Sequence, residues 1–245
     1  MKFTLVIPAF NEVSVIVPTL TGLCDGFRFF YDIDWTILVV DNGSTDGTRE
    51  AVLDFGNKNV KLLRVEEKGK GNAIRRAFAK TDADIFGFTD ADFPIAPVDI
   101  ISAAQLIMNN AADVVVGSRL LPQSKSIGRE WWRTWSSHVF NLLARAIVGV
   151  AVSDTQCPLK LMNAKGLTVM LATREPTWFF DVEFFALLSG VGLSVLEIPV
   201  TWNEHRYPKR KSKLKLADSF RAVRAMFRIR SMIPAQLSLL QSIKR

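Results

Sequence analysis

A chain of 245 residues with 49% apolar content is the size of one large α/β domain, or of a domain with an appendage, and can bury a sizeable core. No apolar run approaches the roughly 18 residues a spanning helix needs, and the two cysteines, Cys24 and Cys157, exclude a disulfide scaffold and favour a reducing cytosol. The net charge of +7 is uneven, because residues 204–245 carry twelve Lys or Arg against two acidic residues, which leaves −3 on the rest. A neutral-to-acidic body with a basic tail points to an anionic partner, either lipid head groups or nucleic acid, or to a merely solvated end.

The chain opens on Phe3–Ile7, an apolar strand stopped by Pro8 and too short for a signal peptide. Further buried strands are predicted at Trp35–Val40, Val60–Val65, Ile85–Phe88 and Val114–Val116, with helices between them at Val13–Phe29, Thr48–Phe55, Asn72–Lys80 and Val98–Asn109. This alternation implies right-handed crossovers and a mostly parallel sheet, whose ligands sit beyond the carboxyl ends of the strands.

The polar motifs fall at those ends. Pro8-Ala9-Phe10-Asn11-Glu12 follows the first strand. Glu12 could hold ribose hydroxyls, while Asn11 could equally cap the next helix and Glu12 complement its dipole. Asp41 opens a glycine-rich turn, Asn42-Gly43-Ser44-Thr45-Asp46-Gly47, where Gly43 permits positive φ, Asp41 could accept from a nucleobase, and Asp46 reads as a helix cap. Lys68-Gly69-Lys70-Gly71 precedes a helix, so Lys70 is a plausible diphosphate contact. Asp90-Ala91-Asp92 follows its strand directly. Two carboxylates so spaced can share a hard divalent cation such as Mg²⁺ or Mn²⁺, or be solvated loop aspartates.

The second half is less regular. Trp131, Trp132 and Trp135, with Phe140 and Leu142–Leu143, sit at helical spacing; the bland expectation is core, and the alternative is an interfacial helix. Strands are predicted at Lys160–Asn163 and Ser194–Val200, with a helix at Phe180–Ser189 between them. Leu214–Ile233 reads as a basic amphipathic helix stopped near Pro234, with Phe220, Val223, Met226, Phe227 and Ile229 as its apolar stripe. His138 and His205 are too far apart in sequence for a histidine metal site or triad, and Cys157 reads as a packed thiol.

Taken in order, Pro8–Glu12, Val40–Thr48, Lys70-Gly71 and Asp90–Asp92 resemble an inverting family 2 glycosyltransferase with a GT-A fold, an α/β, Rossmann-like, mostly parallel sheet flanked by helices. Val116–Arg119, Arg133, Asp154-Thr155-Gln156-Cys157, Phe180-Asp181-Val182-Glu183, Glu197–Val200 and Ser212-Lys213-Leu214 resemble the dolichyl-phosphate hexose synthases, the Asp-Thr-Gln-Cys and Phe-Asp-Val-Glu runs being closer to the glucosyl branch. Two positions depart from these patterns. Pro94 stands where the mannosyl branch often has Gln and supplies no side-chain ligand, and Pro158 stands where the glucosyl branch usually has glycine.

The resemblance implies a catalytic domain over 1–203, with a donor half (1–120) and an acceptor half (121–203), followed by the basic amphipathic segment 204–245. It implies that Pro8, Ala9, Asn11, Glu12, Asp41, Lys70, Asp90 and Ala91 bind the nucleotide sugar, of UDP-glucose or GDP-mannose type, and that Asp90 and Asp92 hold a Mg²⁺ or Mn²⁺. Arg119, Arg133 and Lys213 would contact phosphates of donor or acceptor, with Asp92, Asp181, Arg119 and Arg133 the catalytic set.

The implied reaction is inverting transfer to a polyprenyl (dolichyl) phosphate by an enzyme bound peripherally to the cytoplasmic face of an anionic membrane. A phosphate acceptor is already ionised near pH 7 and needs no base. A sugar-hydroxyl acceptor, the alternative, would need one, and Asp181 is the leading candidate. A nucleotide- or nucleic-acid-binding module is the reading from another class. The apolar stripe of the tail favours lipid over nucleic acid, so no nucleic-acid partner is expected.

Overall fold

The computed structural model describes residues 1–92, 95–204 and 217–243, with backbone alone for 217–220 and 243. The elements run β1 (Lys2–Ala9), α1 (Val13–Phe27), β2 (Asp34–Asp41), α2 (Thr48–Asp54), β3 (Val60–Arg64), α3 (Lys70–Phe78), β4 (Ile85–Phe88), α4 (Pro97–Met108), β5 (Val114–Ser118), β6 (Lys125–Ile127), α5 (Trp131–Val148), β7 (Lys160–Met162), α6 (Ala164–Ala172), α7 (Phe180–Val191), β8 (Val195–Pro199), β9 (Thr201–Asn203) and α8 (Ala217–Ile243).

Seven strands form one sheet in the order β3-β2-β1-β4-β7-β5-β8. All neighbours are parallel except β7, which runs antiparallel between β4 and β5. A second, parallel ribbon joins β6 to β9.

The period-2 side-chain alternation of β1 explains the layering. Phe3, Leu5 and Ile7 face a core shared with Ile16, Leu20 and Leu23 of α1 and with Ile100, Ala103 and Ile107 of α4. Val6 faces the other core, filled by Ile74 and Phe78 of α3, Val169 and Met170 of α6, Phe180 and Phe184 of α7, and Met226, Ile229 and Leu240 of α8. Each such aliphatic or aromatic side chain, fully buried, contributes about 1.5–3 kcal/mol.

Three expectations are corrected. The last helix is not stopped at Pro234; it continues to Ile243. Gln236 donates to Ala172 O (2.9 Å) and Glu183 Oε1 (2.6 Å), and Leu240 is buried, so tertiary anchors beyond the proline offset its missing hydrogen bond. The tryptophans of α5 are not core, being 79%, 50% and 65% exposed at Trp131, Trp132 and Trp135. Asn11 does not cap α1, whose N-cap position is Glu12; its Oδ1 instead accepts from Thr45 N (2.9 Å), across to the turn after β2. The predicted cap at Asp46 takes a double form, because this carboxylate accepts from Thr48 N at the start of α2 (3.0 Å) and from Val13 N at the start of α1 (3.1 Å).

Candidate active site

Parallel pairing sets the carboxyl ends of β1, β2 and β4 side by side. Pro8 lies opposite Val40, and Ala9 opposite Asp41. Asn42 N donates to Ala9 O (2.9 Å), while Asp41, nearly inaccessible, folds its turn back by accepting from Ser44 N (2.9 Å). Gly43 at φ +82° supplies the left-handed conformation this turn requires. Asn11, at φ +55°, and the buried Glu12 are held against the same turn through Ser44 Oγ and Thr48 Oγ1, which accept from their amides at 3.1 and 2.8 Å.

Asn42 then reaches the next motif. Its Nδ2 donates to Val65 O (3.1 Å) and Glu67 O (2.7 Å), and its Oδ1 accepts from Gly69 N (2.9 Å). A Cβ on Gly71 would lie 2.5 Å from Glu175 O, so this position has room only for glycine. The turn delivers Lys70 to Asp90, with Nζ 2.5 Å from Oδ1. Burial opposes charge on Lys70, but the carboxylates of Asp90, Asp181 and Asp92 outweigh it and hold the ammonium above its ordinary range. Ala91 is buried, its carbonyl accepting from Thr19 Oγ1 of α1 (2.7 Å), which fixes the loop carrying Asp90 and Asp92.

These two carboxylates are hard oxygen donors at the open end of the sheet, suited to a Mg²⁺ or Mn²⁺ that completes its shell with water and phosphate oxygens. Among the described residues no group of three or more His, Cys, Asp or Glu could hold a metal. Asp90 and Asp92 would leave the remaining coordination positions of such an ion to water and phosphate oxygens, and Pro94 lies outside the described residues.

Beneath this end, Lys160 of β7 and Asp181 of α7 form a buried ion pair at 2.9 Å, with Lys160 also donating to Cys157 O (2.6 Å) and lying against the rings of Phe88 and Phe185. Burial pushes the Asp181 carboxyl up, and Lys160 and Lys70 only partly offset this.

A second cluster stands beside the first, joined to it by the bridge between Ile95 and Trp202. Arg119 follows β5 and is clamped by the inaccessible Asp154, Nε to Oδ2 at 2.7 Å and Nη2 to Oδ1 at 2.8 Å, with its guanidinium 4.8 Å from the Trp202 ring. Against the opposition of burial, Arg119 holds the Asp154 carboxyl down to about 2. Arg133, in the first turn of α5, pairs with Glu204 and stacks over Trp132 at 5.2 Å. Between them lies Arg129, whose Nη2 donates to Ser137 Oγ (2.6 Å) and Arg133 O (3.3 Å). Burial first, then repulsion from Arg119, lowers Arg129 to about 10, with Glu204 and Asp154 pulling the other way.

The predicted residues thus fall into two adjoining groups. Pro8, Ala9, Asn11, Glu12, Asp41, Lys70, Asp90, Ala91 and Asp92 line the first; Arg119 and Arg133 belong to the second; Asp181 lies below, engaged by Lys160; and Lys213 lies outside the described residues. Sequence reading missed Lys160, Arg129, Trp202 and Glu204. Only Lys160 carried a local signal, a charge at the start of an apolar strand.

The fold is that of GT-A glycosyltransferases. Glucosyl-3-phosphoglycerate synthase from Mycobacterium tuberculosis, solved with Mn²⁺, uridine diphosphate and glucosyl-3-phosphoglycerate, superposes with a TM-score of 0.64 at 19% identity over 98% of this chain and 79% of that one. Residues 4–169 match the family described as "Glycosyl transferase family 2", and the chain belongs to that family. Similar relatives include the dolichyl-phosphate beta-glucosyltransferases of Saccharomyces cerevisiae (30% identity; 82% of this chain, 66% of the relative) and Drosophila melanogaster (28%; 83% and 68%). The chain thus spans about two thirds of the length of these relatives.

Proposed function

We propose that this chain transfers a hexosyl group, glucose first among the candidates, from a nucleoside diphosphate sugar to a polyprenyl monophosphate, with inversion. The observation that carries this reading is the gathering of Arg119, Arg129 and Arg133 beside the carboxylate-bearing ends of β1, β2 and β4. An anion-binding cluster adjoining a nucleotide site suits a phosphate acceptor. The names of the relatives support that acceptor and glucose, and the uridine diphosphate and Mn²⁺ of the structural neighbour support the donor.

In this reading Asp41 recognises the base, Glu12 and Asn11 the ribose, and Lys70 the diphosphate. Asp90 and Asp92 would hold the divalent ion, which when bound neutralises charge on the departing diphosphate. A phosphate-monoester oxygen, ionised at neutral pH, attacks the anomeric carbon as the bond to the diphosphate breaks on the opposite face. Arg133 and Lys213 orient that phosphate, and Arg119, locked by Asp154, supplies a fixed positive charge. Asp181 is not required as a base, and its buried pairing with Lys160 disfavours the sugar-hydroxyl alternative. With labelled donor and a prenyl phosphate, the product is expected in the organic phase; label confined to water-soluble glycans would refute the acceptor.

The acceptor is embedded in lipid, and among the described residues no helix is long and apolar enough to cross a membrane. We place the docking surface on α5 and α8, which pack together. Trp131, Trp132 and Trp135 are exposed one turn or less from Arg133, and Arg221, Arg224 and Phe227 are exposed on α8. Tryptophan beside arginine suits the head-group level, and the anionic cytoplasmic leaflet attracts such a surface. Met226 and Ile229 are packed into the domain, Arg228 is tied to the buried Glu175, and the side chain of Phe220 lies outside the description. At about 1 kcal/mol per basic residue, Arg221→Glu with Arg224→Glu is expected to weaken flotation with anionic liposomes at low salt by roughly 10- to 100-fold. Unchanged flotation would remove α8 from the docking surface.

A further inference from the structure

Glu204 follows β9 directly, and its amide donates to Ile127 O at 3.1 Å, so the β6–β9 ribbon fixes its backbone. Its side chain, 16% exposed, reaches back to α5, where Oε1 pairs with Nη1 of Arg133. Its charge also acts through space on Arg119 and Arg129, while its ion pair is with Arg133. The match is incomplete. Among the described residues, Oε2 of Glu204 is buried without a hydrogen-bond partner, and so are two nearby donors, Nε of Arg129 and Nε1 of Trp202. Among the described residues, and counting Asp154, three positive charges face two negative ones. Buried donors left orphaned around an excess positive charge describe a site built for an anion with more oxygens and more charge than a carboxylate has.

We infer that Glu204 is a resident anion, seated at Arg133 where the acceptor's phosphate binds, which a dianionic monoester displaces and which returns to expel the monoanionic product. This deepens, and rests on, the proposed transfer to a polyprenyl phosphate. The charge change follows from the chemistry. A phosphate-monoester oxygen forms the new bond to the anomeric carbon, the bond to the diphosphate breaks with its electron pair leaving on the diphosphate, and the monoester dianion becomes a diester monoanion. The dianion outcompetes a single carboxylate for three guanidiniums. The diester, with one charge and fewer free oxygens, has no such advantage, and Glu204 takes Arg133 back. The residue lowers the affinity of both esters alike, and the product, which binds the arginines more weakly, is the one it expels.

The experiment measures binding of a short-chain prenyl monophosphate and of its methyl diester, in detergent micelles, to the full chain and to Glu204→Gln. Wild type is expected to prefer the monoester by about tenfold or more; the variant should bind both esters about tenfold tighter than wild type does, with nucleoside diphosphate affinity unchanged. Turnover by the variant should show stronger product inhibition. Thermal melting reports whether the variant is folded, and Glu204→Asp, which keeps the charge on a shorter arm, should fall between the two. Unchanged or weaker binding of both esters by a folded variant overturns the inference and makes Glu204 a support for Arg133 alone. If neither protein binds either ester, the polyprenyl-phosphate reading fails and the inference with it.

Discussion

Replacing Asp92 by asparagine is expected to remove the metal-dependent part of nucleoside diphosphate binding and to lower sugar transfer by about 10²-fold or more. A neutral amide keeps the size of the side chain but is a poor ligand for Mg²⁺ or Mn²⁺. Asp92 is the cleaner of the two aspartates to test, because Asp90 also receives Lys70 at 2.5 Å and its loss would release that lysine. Wild type should bind the nucleotide more tightly with Mg²⁺ or Mn²⁺ than with chelator, whereas the variant should bind it equally weakly in both. Four equal affinities would show that these carboxylates hold no metal for the nucleotide.

The largest stability effect is expected at Asp154. Its side chain is inaccessible and that of Arg119 is 9% exposed, so Asp154→Ala leaves a buried guanidinium without its partner. Breaking such a pair costs about 3–5 kcal/mol, which for a chain of this size lowers Tm by on the order of 10 °C. The same pair sets an acid limit. The folded carboxyl lies at about 2, below its ordinary 3.8, so its stabilisation is complete above about pH 4 and is lost as pH falls through 2. Two units correspond to roughly 2–3 kcal/mol. Denaturant titrations between pH 5 and 2 should show this loss in wild type and a flatter profile in the variant. A variant within about 1 kcal/mol of wild type at pH 7 would mean that Arg119 finds another partner.

The first half of the molecule was legible because its strands are apolar runs, β4 and β5 buried on both faces, and its turns carry glycine or a polar cap. The carboxyl-end rule then places Glu12, Asp41 and Asp90 together from sequence alone. The second half obeys less local rules. β6 and β9 are three residues each, and Lys125–Ile127 is exposed at every position, so neither leaves a periodic trace. Pro234 reads as a stop until Gln236 is seen bonded to Glu183. Apolar periodicity marks the tryptophans of α5 as core, yet it records spacing and says nothing of whether another element covers them. Arg129 and Glu204 are 75 residues apart and meet only through the β6–β9 ribbon and the first turn of α5, a juxtaposition that no sequence window contains.

The position of β7 has a consequence for assembly. β4 and β5 do not pair with each other; every sheet hydrogen bond between the β3-β2-β1-β4 block and the β5-β8 block passes through Lys160, Leu161 and Met162. During synthesis both flanking strands therefore emerge with open edges and wait for a three-residue strand made later. A nascent chain arrested before Lys160 exposes the free border of Ile85–Phe88 and, because β8 is also unmade, both borders of Val114–Ser118, each able to recruit a stray strand. Proline in place of Leu161 should reopen the seam between β4 and β5 in the finished chain, with aggregation there as its visible result.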